Sequence, residues 1–307
     1  MNLIDVTRTY KTDAECLAYL EARRWPQGVR CVTCGGDKIS KIARRKESKN
    51  KRSQYYQCLE PTCKQQFSAT SGTIFHDSHL PLLTWFSAVS LLVDAKKSMS
   101  AMQLQRHLGI GSYRTAWYMA HRIRKAMEET NPTPLSGTVE VDETYIGGKY
   151  DKRRKRGRNE KQGVMGLIER GGRVRAMKIP TSSKTVLVNA IKEHTAPDAK
   201  IYTDEYVAYK SVAKIRKHAT VAHGKEEWVR GDVHTNTVES YWSLFNRALV
   251  GSFHQVSVKH LDRYLQESEY RFNARKERGL FDRTISRMCN TAKMEYKQLT
   301  ARVEEAF

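Results

Sequence analysis

The sequence lacks a long apolar run, an apolar leader and an acidic balance, and each absence excludes a class of protein. Its longest apolar stretch, residues 80–93, is interrupted by Pro81, Thr84 and Ser87 and is too short for a membrane-spanning helix. Charged residues at positions 5, 8 and 11 stand where a signal peptide would need its apolar core. These patterns predict a soluble, cytoplasmic protein that does not bind membranes.

Acidic residues are fewer than basic ones. The chain has 33 Asp and Glu and 54 Lys and Arg, which gives a net charge of +21. An imbalance of this size indicates a polyanionic partner, although a basic surface could also serve solubility alone. At 307 residues the chain is long enough for two domains, or for one large domain with an appendage.

Cysteine is scarce, yet four of its six residues form two close pairs in the chain, Cys31 with Cys34 and Cys58 with Cys63. In a reducing compartment such pairs indicate a metal site rather than disulfides. Thiolates at these spacings, with glycine behind the first pair, can surround one tetrahedral Zn²⁺. We therefore predict a zinc ribbon with one structural zinc ion and short strands at residues 55–57 and 66–68.

Other residues near the cysteine pairs leave further interpretations open. His76 and His79 could act as rival ligands, whereas Cys16 and Cys289 are expected to be buried thiols. The segment between the pairs, residues 38–52, holds eight Lys or Arg residues. Such a run is usually a solvated face, but on a zinc ribbon we expect it to contact phosphate.

Apolar residues at helical spacing predict helices at residues 13–25, 80–93, 100–108 and 112–127. The last two are joined by a glycine-bearing turn and resemble a helix-turn-helix, although many helical hairpins never meet DNA. On the second of them, Arg114, His121 and Arg122 are expected on the outer face, where they could contact DNA. The side chains expected in the core are Trp117, Ala120, Ile123 and Met127.

The second half of the chain alternates strands with helices beyond a linker at residues 131–134. Strands are predicted at residues 138–146, 163–169, 173–180, 200–204 and 219–222, and helices at 183–194, at 207–212 and from about 235. This order is that of an RNase H-like α/β domain with a mixed five-stranded sheet. The predicted domains are an N-terminal helix with zinc ribbon (1–75), a helical DNA-binding region (76–131), the RNase H-like domain (135–278) and a helical tail (279–307).

A second basic run separates the first two of these strands, with six cations among the seven residues 152–158. The run could be flexible solvated surface, but beside the predicted strand we expect it to hold a DNA backbone. The residues expected to contact DNA are Arg153, Arg154, Lys155, Arg156 and Arg158.

Three acidic residues form a candidate catalytic group. Asp142 interrupts a valine-rich strand, where aspartate is uncommon. Asp204 ends a strand that the RNase H-like order places beside it, and Glu239 follows 35 residues later in the first turn of a helix. Each alone could be structural, as an edge-strand charge, a helix cap or part of a capping box. Together they predict a site for two divalent cations about 3.5–4 Å apart, the arrangement that transfers phosphoryl groups without a protein nucleophile.

The helix that carries Glu239 has a polar stripe and a buried stripe. Asn236, Ser243 and Asn246 share the polar stripe with Glu239, so Asn236 is a second possible metal ligand. The buried stripe is predicted to contain Val238, Trp242, Phe245 and Leu249.

The strand at residues 138–146 offers more than one carboxylate. Glu140 shares a strand face with Asp142, and Glu143 points the other way, because side chains alternate along a strand. Spacing alone therefore does not choose between Asp142 and Glu140.

Five motifs spread over the chain are specific enough to compare with a known family. They are Cys-x2-Cys with Cys-x4-Cys, Asp142-Glu-Thr-Tyr-Ile-Gly-Gly148, Tyr202-Thr-Asp204, His234-Thr-Asn-Thr-Val-Glu239 and the run at residues 251–265. Together they resemble the zinc-ribbon DDE transposases of bacterial insertion sequences, the ISXO-like group. The likeness extends from about residue 12 to about residue 280.

This resemblance implies a DNA transposase that hydrolyses strands at the ends of an element and then directs the freed 3′-hydroxyl against target DNA. Carried over by position, Asp142 and Asp204 are the first two ligands of Mg²⁺ or Mn²⁺, with two ions per active site. The third ligand is Asn236 or Glu239, because Asn or His can take the place of Glu in this group. The family motif also favours Asp142 over Glu140.

The resemblance further implies how the protein meets DNA. Related proteins place a Lys two turns after the Glu, which falls here at Asn246, and neighbouring Arg247 could substitute for it. The expected partners are double-stranded DNA, as element ends and as target, and further copies of the chain in a homodimer or larger synaptic complex associated with the nucleoid. Two rivals stay open: a nuclease or resolvase without strand transfer, and a zinc-ribbon regulator or inactive transposase that only binds DNA.

Overall fold

The computed structural model describes residues 1–42, 54–147 and 161–301. The chain forms two compact units. One contains Met1–Met127 together with the segment that begins at Glu277, and the other is Glu128–Lys276. The linker predicted at residues 131–134 lies near the start of the second unit, and the tail predicted from residue 279 belongs to the first.

The described residues contain these α-helices, in chain order: α1 (Leu3–Thr9), α2 (Asp13–Arg24), α3 (Leu82–Asp94), α4 (Ala101–Leu108), α5 (Tyr113–Met127), α6 (Lys184–His194), α7 (Asn236–Ala248), α8 (Leu261–Asn273), α9 (Leu280–Asn290) and α10 (Tyr296–Thr300). The strands are β1 (Ile39–Ile42), β2 (Tyr55–Cys58), β3 (Gln66–Phe67), β4 (Thr138–Ile146), β5 (Gln162–Glu169), β6 (Val174–Ile179), β7 (Lys200–Thr203) and β8 (Lys217–Thr220). Short 3₁₀ or π-helical turns lie at Val207–Lys214, His223–Lys225, Leu249–Phe253 and Val258–His260.

The zinc ribbon is a three-stranded antiparallel sheet in the order β1-β2-β3. Tyr56 and Cys58 of β2 pack with Phe67 and Trp25 in a small core. Strand β1 was not predicted, because its four residues are embedded in the basic segment 38–52 and carry no apolar alternation. Residues 43–52 of that segment lie outside the described residues, so its phosphate contact stays a prediction.

The pair α4 and α5 matches the two helices predicted around the glycine-bearing turn. Ser100 caps α4 by accepting a hydrogen bond from the backbone N–H of Gln103 at 3.2 Å. Gly109 ends the helix at φ +63°, a left-handed conformation that glycine adopts without strain. The predicted core positions Ala120, Ile123 and Met127 are buried, whereas Trp117 is only partly buried.

The second unit is built on the mixed five-stranded, RNase H-like sheet that the element order predicted. Its strand order is β6-β5-β4-β7-β8; β4 pairs antiparallel with β5 and parallel with β7. Helix α6 and the 3₁₀ helix Val207–Lys214 cover one face, and α7 and α8 cover the other. Strand β8 begins two residues earlier than predicted, because Lys217 already pairs with Lys200 at the start of β7.

Alternation along β4 decides which side chains reach the face under α7. Val139 and Val141 are fully buried in the core cluster on the α6 face. Glu140 and Asp142 therefore point to the opposite face. Gly166 pairs with Asp142, and a Cβ at this glycine would lie 2.6 Å from the Trp242 ring of α7. The glycine thus lets α7 pack directly against the strand beside Asp142.

Candidate functional site

The four paired cysteines converge on one point. Cys31 Sγ lies 3.6 Å from Cys63 Sγ, and Cys34 Sγ lies 3.7 Å from Cys58 Sγ. All four sulfurs lie within 4.8 Å of one another. Sulfurs about 2.3 Å from a tetrahedral zinc ion would stand about 3.8 Å apart. The quartet therefore fits one structural zinc ion, as the sequence predicted.

The surroundings of Cys31 favour the ligand form of its thiol, whereas burial raises the pKa of the Cys58 thiol to about 12. Burial opposes ionisation of Cys31, but hydrogen bonds from the N–H groups of Cys34 and Thr33 outweigh it and lower the pKa to about 6. Zinc binds the thiolate. The rival ligand His76 instead accepts a hydrogen bond at Nδ1 from the N–H of Gly72, at 3.2 Å.

The second unit holds an open cavity of about 600 Å³ that Asp142 and Glu239 line together. Strand β4 supplies the first carboxylate and the first turns of α7 supply the second. Because Gly166 lets α7 approach the sheet, the two carboxylates reach the same space from different elements. The rest of the wall consists of Glu143, Thr144, Trp242, Ser243, Asn246, Arg247 and Val250.

Asp204 directly follows β7, the strand that pairs with β4. The parallel pairing ends where Glu140 stands opposite Tyr202. Asp204 nevertheless lies close enough to Asp142 for its charge to raise the pKa of Asp142. The Asp204 side chain accepts a hydrogen bond at Oδ1 from the N–H of Tyr206, at 3.0 Å. This bond orients the carboxylate at the carboxyl end of β7.

The electrostatics of Asp142 reflect these neighbours. Burial raises the pKa of Asp142 from its ordinary 3.8 to about 7, and the negative charges of Glu143, Asp204 and Glu239 add to the effect. Burial, opposed by a hydrogen bond from Tyr209, also raises the pKa of Glu143. Partly buried carboxylates that repel one another suit a divalent cation, which prefers oxygen ligands.

The carboxylates are nevertheless spread more widely than the sulfurs. Across residues 1–42, 54–147 and 161–301, the cysteine quartet is the one group in which three or more potential ligand atoms of His, Cys, Asp or Glu lie within 4.8 Å of one another. The acidic site is therefore a cavity with the carboxylates of Asp142, Glu143 and Glu239 on its walls, and Asp204 is not among the residues that line it.

The two candidates for the third ligand occupy different positions on α7. Glu239 lines the cavity and accepts a hydrogen bond from the Thr235 hydroxyl at 2.7 Å. Asn236 is the first residue of the helix, is exposed and lies outside the cavity wall. The remaining predictions for α7 agree with the structure for Val238, Trp242 and Phe245, which are buried, whereas Leu249 is only partly buried.

Glu140 has a different role from Asp142, and sequence analysis could not separate the two. Its side chain is completely buried and accepts hydrogen bonds from the N–H of Thr237 at 2.7 Å, the Thr237 hydroxyl at 2.8 Å and the N–H of Val238 at 3.2 Å. It therefore caps the first turn of α7, where N–H groups lack helical partners. Glu140 joins the strand that carries Asp142 to the helix that carries Glu239.

Arg170 completes this junction. Its Nε donates to Glu140 at 2.7 Å, and its terminal nitrogens donate to the backbone oxygens of Asp232 at 2.6 Å and His234 at 3.1 Å. The guanidinium also lies over the Tyr202 ring. Arg170 thus holds the loop before α7 against β4 and β7. It was not singled out from the sequence, because one arginine in a turn carries no local signal.

His223 is a second residue near the site that the sequence analysis did not single out. Its Nε2 lies 3.8 Å from the Glu239 carboxylate and 3.5 Å from the Thr235 hydroxyl. Its ring stacks on Trp228 with 4.6 Å between ring centres. Both residues lie in the loop between β8 and α7, where no periodic pattern marks them.

The expectation that His121 and Arg122 lie on the outer face of α5 is wrong. Their exposed fractions are 0% and 4%. Arg122 donates to the backbone oxygen of His76 at 2.6 Å and lies over the rings of Trp85 and Tyr118. A cation on the buried side of an amphipathic helix is hard to predict, because its cost is offset only by partners distant in sequence. Arg122 is therefore a packing residue of the first unit.

The other predicted DNA contacts fall in three places. Arg114 is exposed at the start of α5, with its guanidinium 4.2 Å from the centre of the Tyr296 ring. Arg247 is exposed on α7 and lines the acidic cavity next to Asn246. The remaining residues lie outside the described residues, and these are Arg153, Arg154, Lys155, Arg156 and Arg158.

No helix within the described residues is long and apolar enough to cross a membrane. This agrees with the short apolar run at residues 80–93, most of which forms the buried helix α3.

Two family profiles match this chain in separate regions. The transposase zinc-ribbon domain matches residues 11–66, and the ISXO2-like transposase domain matches residues 134–273. The first region contains the cysteine quartet, and the second contains the five-stranded sheet, the acidic cavity and all of α8.

Curated relatives agree with these matches. A protein in the transposable element ISH50 of Halobacterium salinarum is 30% identical over 287 residues, which cover 86% of this chain and 92% of the relative. A transposase-like protein of Haemophilus influenzae is 26% identical over 103 residues, which cover 33% of this chain and 81% of the relative. This chain therefore belongs to the zinc-ribbon, ISXO2-like transposases of insertion sequences.

Proposed function

We propose that the protein is a DDE-type DNA transposase that binds the terminal inverted repeats of an insertion sequence and catalyses metal-dependent strand cleavage and strand transfer. The observation that carries this proposal is the Asp142 carboxyl, which shares a cavity with Glu239 and feels the charge of Asp204. Burial raises the pKa of Asp142 to about 7, and the negative charges of Glu143, Asp204 and Glu239 raise it further. A divalent cation relieves such repulsion, and phosphoryl transfer on DNA uses two.

In this proposal Asp142, Asp204 and Glu239 hold Mg²⁺ or Mn²⁺, two ions per site, with Asn236 as the alternative third ligand. When bound, the ions supply Lewis-acid activation of the attacking oxygen and stabilisation of the leaving oxygen. Glu140 keeps the strand bearing Asp142 and the helix bearing Glu239 together, so the ligands arrive already oriented.

The cationic residues bind the DNA backbone. Arg247 lines the cavity beside Asn246, where it can contact a phosphate of the transferred strand. Arg114, at the start of α5, contacts the element end through the helical region at residues 76–131. The basic run at residues 152–158 follows β4 in the chain and holds the backbone near Asp142.

The proposal also includes assembly. A transposase must hold two element ends together, so we expect a homodimer or a larger synaptic complex on DNA. Light scattering of the protein with and without end DNA would measure the number of chains, and a complex with a single chain would contradict this part.

The decisive experiment compares Asp142→Asn with unaltered protein on a duplex that carries the inverted repeat found in the DNA flanking the gene. With Mg²⁺, the unaltered protein should cleave this duplex, and the variant should cleave more than about 100-fold more slowly because a metal ligand is lost. The matched control is Asp198→Asn, an exposed carboxylate of the same unit that lies before β7. Near-normal cleavage by Asp142→Asn would make the mechanism wrong.

A second arm separates the proposal from its rivals. Pre-cut ends and a supercoiled target are incubated with the protein, and joined products are counted. A transposase yields them, whereas a nuclease or resolvase leaves the target unjoined. A regulator binds the end DNA without metal-dependent cleavage in either arm.

A further inference from the structure

The first unit contains a cavity of about 510 Å³ that the sequence analysis did not predict. Helix α5 forms one wall, where Arg114, Tyr118 and Arg122 stand four residues apart and therefore share one helix face. The other walls come from the segment before α3, from α3, from the turn between α4 and α5 and from Tyr296 of α10. All of these elements belong to the first unit. This space is the Arg122 cavity.

Cations and aromatic rings alternate along the wall of the Arg122 cavity. The Arg114 guanidinium lies 4.2 Å from the centre of the Tyr296 ring, and the Tyr296 and Tyr118 rings meet edge to face at 5.4 Å. The Arg122 guanidinium lies 5.1 Å from the centres of both the Tyr118 ring and the Trp85 ring. Each guanidinium is therefore held against a ring, and the cavity presents two positioned positive charges.

Arg122 is a buried cation without a carboxylate partner among the described residues. Only 4% of its surface is exposed, and its Nη2 donates to the backbone oxygen of His76 at 2.6 Å. Its Nε is buried and has no hydrogen-bond partner. Burial lowers the pKa of Arg122, and the opposing effects of Tyr118 and Asp77 do not cancel it. Because buried charges are ordinarily paired, we expect a counter-charge in the cavity that Arg122 lines.

The rest of the wall adds to the positive potential of the cavity. Among the described residues that line it, the one carboxylate is Asp77, whose side chain is 83% exposed and lies 3.4 Å from His76 Nε2. Ser112 and Thr115 line the cavity at the amino end of α5. The first N–H groups of a helix lack helical partners, and the helix dipole there favours negative charge. The cavity therefore suits an anion.

The donors and the size of the cavity indicate which anion it binds. A guanidinium binds phosphate through parallel N–H bonds, and hydroxyls and N–H groups at a helix end donate to further phosphate oxygens from other directions. Leu80, Ile110 and Met119 supply apolar surface on the same walls. Sites for small organic ligands combine an apolar lining with a few polar groups in this way. A nucleotide has both parts, a phosphate and a planar body.

We propose that the Arg122 cavity binds a nucleotide, with its phosphate against Arg122 and the amino end of α5. The inference goes beyond the proposed function, because it assigns an anion site to the first unit that requires neither Mg²⁺ nor the carboxylates of the second. The nucleotide comes from solution or from a DNA strand, and the experiment separates these two sources.

The test measures binding to full-length, zinc-loaded protein by isothermal titration calorimetry without Mg²⁺ and at constant ionic strength. The probes are inorganic phosphate, deoxyadenosine monophosphate and deoxyadenosine. Arg122→Met removes the buried charge and keeps an unbranched stem between the two rings, and Arg114→Gln removes the exposed one. The matched control is Arg106→Gln, which removes an exposed cation of α4 outside the cavity wall. Thermal melting and zinc content show whether each variant is folded.

Deoxyadenosine monophosphate and inorganic phosphate should bind to a single site, and deoxyadenosine should not bind. Arg122→Met and Arg114→Gln should each weaken the binding of the monophosphate by about tenfold or more, because each removes a charge-assisted contact. Arg106→Gln should stay within about twofold of the unaltered protein. If Arg122→Met does not fold, Arg114→Gln decides the test.

Equal affinities of the monophosphate for the cavity variants and Arg106→Gln would overturn the inference, because the anion would then bind the basic surface at large. Binding of deoxyadenosine as tightly as its monophosphate would also overturn it, because the phosphate would not be recognised.

A second arm identifies the source of the nucleotide through a duplex that carries the inverted repeat. Arg122 is buried, so a DNA strand contacts it only by entering the cavity. If the strand supplies the phosphate, Arg122→Met weakens duplex binding as much as it weakens binding of the monophosphate. If the nucleotide is free, Arg122→Met leaves duplex binding unchanged, and the duplex and the monophosphate bind together.

Discussion

Arg170 Nε lies 2.7 Å from the carboxylate of Glu140, a side chain with no exposed surface. The same carboxylate caps the first turn of α7, and the same guanidinium holds the loop before it. The relative position of Asp142 and Glu239 is therefore set by an ion pair that includes neither of them. A buried charge with four hydrogen-bond donors is stable in place and costly to disturb.

The first prediction concerns this ion pair. Glu140→Ala should lower the free energy of unfolding by about 3–5 kcal/mol, because it leaves the first-turn N–H groups of α7 and Arg170 without their acceptor. Urea denaturation measures the change. Glu193→Ala, an exposed carboxylate on α6, is the control and should stay within about 0.5 kcal/mol of the unaltered protein. Equal stabilities for the two variants would show that Glu140 is not the cap we describe.

The second prediction concerns zinc. Purified protein should contain one zinc ion per chain, and Cys31→Ser should lose it because the tetrahedral set then lacks one sulfur. Cys289→Ser removes a buried thiol outside the quartet and should retain the metal. Elemental analysis after gel filtration measures both. An unchanged zinc content in Cys31→Ser would contradict the assignment of Cys31 as a zinc ligand.

The third prediction is a pH dependence of the metal-free protein. The folded chain raises the pKa of Asp142 from 3.8 to about 7, so between about pH 4 and pH 7 it keeps a proton that the unfolded chain has released. Its stability should therefore fall as pH rises through that window and level off above it. Since one pKa unit corresponds to about 1.4 kcal/mol, the loss has an upper limit of about 4 kcal/mol.

Asp142→Asn removes this ionisation and should gain stability over the unaltered protein as pH rises from about 4 to about 7. Urea denaturation in EDTA at several pH values measures the difference between the two proteins, and other titrating groups cancel in it. A difference that does not vary with pH would contradict the electrostatic account of Asp142.

The fourth prediction concerns Arg247. Arg247→Ala should lower the rate of strand transfer by about 10- to 100-fold with little loss of stability, because it removes a cation from the cavity wall. Lys210→Ala removes an exposed cation from the 3₁₀ helix Val207–Lys214 and should leave the rate unchanged. The rate at which joined products form with saturating Mg²⁺ is measured for both variants. Equal rates for the two variants would exclude Arg247 from substrate binding.

The fifth prediction separates two arginines of α5. Arg122→Ala should cost about 2–4 kcal/mol of stability, because it removes a buried hydrogen bond to His76 and the packing of the guanidinium on two rings. Arg114→Ala should leave stability almost unchanged and reduce the slope of DNA affinity against salt by about one. Denaturation and salt titrations measure these effects. Normal stability of Arg122→Ala would contradict the packing role of Arg122.

Sequence patterns predicted helices, strands and the zinc site correctly where the hydrophobic period or a motif was clear. Strand β4 spans the predicted residues 138–146, and the cysteine spacing identified the quartet. These features are local: alternation marks a strand, and ligand spacing marks a ribbon. Helix α1 and strand β1 were missed, because α1 is only seven residues long and β1 lies in a run of charge.

The local sequence pattern could not predict which of two chemically similar residues has which role. Glu140 and Asp142 share one face of β4, yet one carboxylate caps a helix and the other lines a cavity. Likewise Arg114 and Arg122 lie two turns apart on α5, and only Arg114 is exposed. In each pair the choice depends on partners far away in the chain, including Thr237 for Glu140 and His76 for Arg122.

The sequence by itself determined the zinc-ligand set, the order of strands and helices from β4 to α7, and the family. Spacing and motif depend only on residues that are close in sequence, so they can be recognised without knowledge of the rest of the fold. The tertiary structure alone decided which acidic and basic residues share the cavity and which are buried. Those properties depend on solvent exposure and on distances between segments that are remote in sequence, and both exist only after the sheet and α7 have packed together.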